Sequence, residues 1–99
     1  MDVYFVYREQ SFVWDGRKAI ENRAKHGIDF ETACEVFFDR LGTFLDASVS
    51  EEERLALVGL SKSFEILYVV HLEQDDEFIR IISARAATPR EKRIYENGG

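Results

Sequence analysis

Phe78-Ile79-Arg80-Ile81-Ile82-Ser83-Ala84-Arg85, running on through Ala86-Ala87-Thr88-Pro89-Arg90-Glu91-Lys92-Arg93-Ile94-Tyr95-Glu96, decides how the rest of the chain reads. The first half is rich in β-branched residues and holds no turn former, so it predicts a strand from Phe78 to Ala84. The second half predicts a helix over 89–96. Thr88 offers an N-cap hydroxyl, Pro89 stands where a missing N–H costs nothing, and Glu91 completes a capping box. Arg80 and Arg85 are charges in the most apolar part of the sequence. A largely buried strand tolerates arginine where the guanidinium reaches a carboxylate, a phosphate or water. Pairing with internal acids and binding of phosphate both satisfy that demand.

The chain of 99 residues is sized for one domain, and 45% hydrophobic residues suffice for a core without staples. The lone Cys34 excludes an internal disulfide, and no cluster stands at metal-ligand spacing, so no metal or cofactor is expected. Cys34 lies in a helical apolar pattern, which favours burial. The apolar burst Val3–Tyr7 is too short for a signal segment, and no stretch approaches a membrane span. A cytoplasmic protein without membrane contact is expected. The net charge of −6 speaks against nucleic acid as a partner when taken alone. Its distribution qualifies the total. Basic blocks (Arg17, Lys18, Arg23, Lys25; Arg80, Arg85, Arg90, Lys92, Arg93) alternate with acidic ones. A basic face forms only if the fold brings the first helix beside the C-terminal unit.

The remaining elements follow from local signals. Val3–Tyr7 predicts a strand, and Phe12-Val13-Trp14 extends it or forms a second one after the break at Glu9-Gln10-Ser11. Asp15 is an N-cap for a helix to about His26, closed by Gly27. Asp29 opens a second helix to about Phe38, with Phe30, Ala33, Cys34, Phe37 and Phe38 as its apolar stripe. Thr43–Leu45 is a short strand, and an acidic loop follows to Glu53. Arg54–Ser61, Glu65–Leu72 and Phe78–Ala84 then read as an antiparallel meander, with a turn at Gln74-Asp75-Asp76. His71, alone in an apolar strand, reads as structural. The whole predicts an α+β sandwich.

The ordered set Phe12-Val13-Trp14-Asp15, Lys18, Asn22, Lys25-His26-Gly27, Phe30-Glu31, Ala33, Val36-Phe37 and Asp39 resembles the N-terminal half of the BrnT toxins. Glu53-Arg54, Gly59-Leu60-Ser61, Arg80–Arg85, Ala87-Thr88, Glu91-Lys92-Arg93 and Tyr95-Glu96 resemble the second half. The resemblance implies a RelE-like fold, with two N-terminal helices and a C-terminal helix packed on a mostly antiparallel sheet of four or five strands in a single domain over 1–99. It implies a type II toxin that cuts RNA without metal, inhibits translation and is neutralised by a ribbon-helix-helix (BrnA-like) antitoxin. Operator DNA would be reached only through that antitoxin. At Val49-Ser50 the sequence departs from the His-Ser usual in relatives. That departure, with the acidic charge, favours the alternative of a catalytically weak antitoxin-binding corepressor.

Metal-independent RNA cleavage needs a base for the ribose 2′-OH, an acid for the leaving 5′-oxygen and cations on the phosphorane-like transition state. Arg80 and Arg85 suit the last role through their planar forks. His26 is the candidate for proton transfer, Lys25 for a phosphate contact or the acid, and Glu53 for an alternative base. Lys18, Arg54, Arg93 and Tyr95 are candidate RNA contacts, with Tyr95 or Tyr7 available to stack on a base.

Overall fold

The computed structural model describes residues 1–74 and 77–98. The expected turn at Gln74-Asp75-Asp76 therefore lies partly outside the described residues. A hairpin opens the chain: β1 (Asp2–Tyr7) pairs antiparallel with β2 (Gln10–Asp15). Arg8 and Glu9 make the two-residue turn with φ of 52° and 72°, so the break falls there and not at Glu9–Ser11. Phe12–Trp14 thus belongs to a strand of its own. Next come α1 (Gly16–His26), α2 (Phe30–Glu35) with a 3-10 turn over Val36–Phe38, β3 (Thr43–Asp46), β4 (Leu55–Leu60), β5 (Ile66–Gln74), β6 (Phe78–Ala86) and α3 (Pro89–Glu96).

All strands join one six-stranded sheet in the order β1-β2-β6-β5-β4-β3. The expectation of four or five mostly antiparallel strands is corrected in this respect. The meander β4-β5-β6 is antiparallel, but β6 also runs parallel to β2, through Ser11↔Phe78, Phe12↔Ile79 and Val13↔Arg80. The sheet is therefore mixed. The second helix is also shorter than expected. Helical geometry ends at Glu35 and tightens into the 3-10 turn, which lets Val36 lie against Gly59 of β4.

The helix signals read from sequence act as follows. The Asp15 carboxylate accepts from the Arg17 N–H at 2.9 Å, and Gly27 takes a left-handed φ of 73°. The Thr88 box is complete: the Glu91 N–H donates to Thr88 Oγ1, and the Thr88 N–H donates to Glu91 Oε1. Asp29 precedes α2 but does not cap it through its side chain; the carboxylate pairs with Arg23 at 2.8 Å. Ile20 and Ala24 face solvent, and α1 turns Ala19 and Asn22 inward.

The core lies between one sheet face and the segment Ile28–Val36. Phe12, Trp14, Leu57, Leu67, Val69, Ile81 and Ala84 pack there with Phe30, Ala33, Cys34 and Val36. Trp14 meets Phe30 edge-on at 5.7 Å. His71 joins this core at 1% exposure, between Phe37 and Phe44. Among the described residues no helix is long and apolar enough to cross a membrane.

A candidate nucleic-acid interface on strand β6 and helix α1

Strict alternation along a strand puts Arg80 and Arg85 on opposite faces, because their spacing is odd. The structure puts them on the same face. Val70 pairs with Ser83 and His71 with Ile81, so Ile82 is left without a cross-strand partner. This is a β-bulge, and it resets the alternation of everything after it. Arg80 now lies across from Leu72 and Arg85 across from Tyr68, positions that share one side of β5. Ser83 lies between the two arginines on that side. The opposite face of β6 carries Ile81 and Ala84 into the core.

The bulge lies where β6 loses its neighbour. Pairing with β2 stops at Val13↔Arg80, and α1 takes over the vacated edge. Buried Asn22 does what a neighbouring strand would do: its Oδ1 accepts from the Ala84 N–H at 3.0 Å, and its Nδ2 donates to the Ala84 carbonyl at 2.8 Å. The same amide nitrogen donates to the Ile28 carbonyl at 3.1 Å, tying in the turn after α1. An amide side chain is the natural choice here, since it presents a donor and an acceptor side by side as a backbone peptide does.

This docking brings separate parts of the sequence together. Lys18, Lys25 and His26 of α1 line one shallow depression of about 270 Å³ with Glu21, Asn22, Ile82 and Ser83. Lys18, Lys25 and His26 are exposed. Ser83 is shared between this depression and the sheet face that bears Arg80 and Arg85. Part of the basic face left open by the sequence thus forms along the α1 side of β6, where Lys18, Lys25 and His26 lie beside Ser83 with Glu21 among them.

Both arginines are held by carboxylates. Arg80 donates from Nη1 and Nη2 to the two oxygens of Asp2, at 3.2 and 2.7 Å, and from Nε to Gln74 at 3.1 Å. Arg85 donates to both oxygens of Glu91, at 2.8 and 3.0 Å, and lies 4.0 Å over the Tyr68 ring. The hydrogen bond from Arg85 holds the Glu91 carboxyl below the usual range, and the one from Arg80 does the same for Asp2. Pairing with internal acids, one of the two readings of the sequence, is thus realised at both positions. Asp2 lay too far from Arg80 in sequence to be seen as its partner. Glu91 was visible only as a capping residue, yet it serves the cap and Arg85 at once.

Other candidates lie apart. Glu53 and Arg54 border an acidic groove of about 780 Å³ with Asp46, Ser48, Glu52, Leu55, Leu72 and Glu73. Arg54 is paired with Glu52. Leu72, which also lines this groove, is the cross-strand partner of Arg80. Its negative surroundings disfavour phosphate at Glu53. Tyr95 donates to Asp39 Oδ2 at 2.6 Å, and the same oxygen accepts from the Leu60 N–H at 2.8 Å. That bond ties α3 to the end of β4, and burial with the Asp39 contact pushes the phenol up to about 12. Arg93 is exposed in the last turn of α3. Tyr7 meets Phe38 edge-on at 5.3 Å. Val49 is exposed and bridges Glu52 through backbone bonds in the loop before β4. Among the described residues no group of three metal-ligating side chains converges.

The family model described as ribonuclease toxin, BrnT, of type II toxin-antitoxin system matches residues 14–91. The chain belongs to this family. The match runs from Trp14 through α1, the bulged strand β6 and Glu91, so every residue of the basic face just described falls within it. No curated protein matches the chain. A type II toxin-antitoxin family implies an antitoxin as partner.

Proposed function

We propose that this BrnT-family chain is a metal-independent endoribonuclease toxin that inhibits translation and is neutralised by its antitoxin, with RNA bound along β6 and α1. The observation that carries the reading is Ser83. It lines the depression of Lys18, Lys25 and His26 and lies on the sheet face of Arg80 and Arg85, which makes one basic surface from two sequence-distant blocks. The cations on this surface suit a phosphate backbone despite the net charge of −6.

In this reading a phosphodiester sits beside β6, and an arginine fork receives its non-bridging oxygens. The 2′-OH attacks the adjacent phosphorus, its proton goes to a base, and the 5′-oxygen leaves with a proton from an acid. The products are a 2′,3′-cyclic phosphate and a 5′-hydroxyl. His26 is the titratable group of the depression suited to one of these proton transfers, and Lys25 beside it supplies charge or the second proton. Glu53 stands outside this arrangement, in its acidic groove. The antitoxin in this reading is a ribbon-helix-helix protein of BrnA type, and operator DNA is engaged through it.

The test is growth after inducing the chain alone in a bacterium, beside the Arg80→Ala/Arg85→Ala double variant at matched soluble level. Arrest by the parent and growth with the variant is the expected result. Arrest by both refutes the arginine surface. Val49, in place of the relatives' histidine, and the carboxylates on both arginine forks favour a second reading: a corepressor that binds antitoxin without cutting RNA. That reading predicts no cleavage of RNA by purified protein at any concentration.

A further inference from the structure

The geometry points to a division of labour between the two arginines: Arg85 is the phosphate clamp, Glu91 and Tyr68 are the residues that position it, and Arg80 is a strut. This deepens the ribonuclease reading and rests on it.

A guanidinium has two edges that offer parallel N–H pairs, one formed by Nη1 with Nη2 and the other by Nε with Nη2. Arg80 uses the first on Asp2 and breaks the second by giving Nε to Gln74. It keeps no intact pair for a phosphate. Arg85 uses the first edge on Glu91 and spends a further Nη1 proton on the Ala86 carbonyl at 3.2 Å. Its Nε–Nη2 edge makes no hydrogen bond among the described residues, and the side chain is 33% exposed. A bidentate grip on two phosphate oxygens is available there without breaking anything.

The guanidinium plane is also fixed. One edge is locked to Glu91, and a flat face rests on Tyr68, the cross-strand partner of Arg85. Glu91 is itself fixed, because the capping box with Thr88 anchors its carboxylate at the start of α3. Hydrogen-bond donors held in place before the reaction are worth more in the transition state than donors that must be ordered during it. The negative charge of Glu91 disfavours bound RNA in the ground state. Orientation and charge therefore pull in opposite directions, and that separates the positioning role from a merely structural one.

The experiment compares purified parent, Glu91→Gln, Tyr68→Leu, Arg85→Lys and Arg80→Lys. It measures kcat on an RNA oligonucleotide and Kd for the uncleavable 2′-O-methyl form of the same oligonucleotide. Glutamine preserves the capping box, so α3 stays formed, as circular dichroism and the urea midpoint will check. Glu91→Gln should lower kcat about tenfold while Kd stays the same or tightens. Arg85→Lys should lower kcat by roughly 10²-fold, and Arg80→Lys by clearly less, with its main effect on the urea midpoint. Tyr68→Leu should follow Glu91→Gln in kcat. An unchanged or raised kcat for folded Glu91→Gln, or a larger loss from Arg80→Lys than from Arg85→Lys, overturns the assignment while the ribonuclease reading stands. A parent that neither cuts the RNA nor binds its 2′-O-methyl form overturns both.

Discussion

Replacing Asn22 by alanine tests the joint between α1 and the sheet. The side chain is 7% exposed, and it supplies both hydrogen-bond partners of Ala84 on the free edge of β6. Ala84 is fully buried, and removing the amide leaves its N–H and carbonyl without their protein partner. Leaving a buried backbone group unpaired costs about 1–3 kcal/mol, and two such groups with partial relaxation give a loss of about 3–4 kcal/mol. The Ile28 carbonyl also loses its donor. Against the usual stability of about 5–15 kcal/mol for a domain this is a large fraction. Urea denaturation followed by circular dichroism reads it directly: with a slope of about 1.5–2 kcal/mol per M, the midpoint should fall by about 2 M. Hydrogen exchange should show the Ala84 amide losing protection before the rest of the sheet. A midpoint shift below about 0.5 M would refute the idea that this one amide replaces a missing strand.

Three further outcomes follow from the structure. His71 is buried, and desolvation lowers its folded pKa below the ordinary value of 6.5. The unfolded chain therefore binds the proton first, so stability should fall as pH drops below about 6.5 and before carboxylates titrate. The urea midpoint at pH 7.5 and 5.5 checks this, and His71→Leu should flatten the slope over that range. Tyr95→Phe removes the bond to Asp39 and should cost about 1–2 kcal/mol; in the parent, absorbance at high pH should show one phenol titrating at about 12. Gly59→Ala would put a Cβ 3.0 Å from Val36 Cβ and 3.1 Å from its carbonyl oxygen. Overpacking of this kind should cost about 1–3 kcal/mol, seen as a lower melting temperature.

Signals confined to a few adjacent residues were legible in the sequence. The Thr88 box, the Asp15 cap and the left-handed Gly27 each depend on neighbours within a turn, and each forms as read. The meander was legible because its loops are short. The parallel contact of β2 with β6 was not, since it joins Phe12 to Ile79 and no local pattern encodes a partner so far away. The bulge at Ile82 escaped for a different reason. Ile81, Ile82 and Ser83 look like ordinary strand residues, and only the pairing with β5 shows which of them is left over. The site suffered from both limits. Lys25, His26, Arg80 and Arg85 were singled out by their chemistry together with the family resemblance, but what lies beside each depends on the bulge and on Asn22. Asp2, Gln74 and Tyr68, which set what the arginines are free to do, carried no signal of their own.

The place of β6 in the sheet has a consequence for the order of assembly. It is the last strand in the sequence, yet it lies between β2 and β5 in the interior of the sheet. Until residues 78–86 are made, the chain holds an N-terminal hairpin and the beginnings of a β3–β5 ladder, with no strand to join them. Synthesis from the N-terminus leaves these pieces with open inner edges. The arginine forks, the Asn22 joint and the basic surface all come into being in the same late step. The nascent chain therefore carries Lys18, Lys25 and His26 on α1 with neither Ser83 nor the two arginines beside them until its last strand closes the sheet.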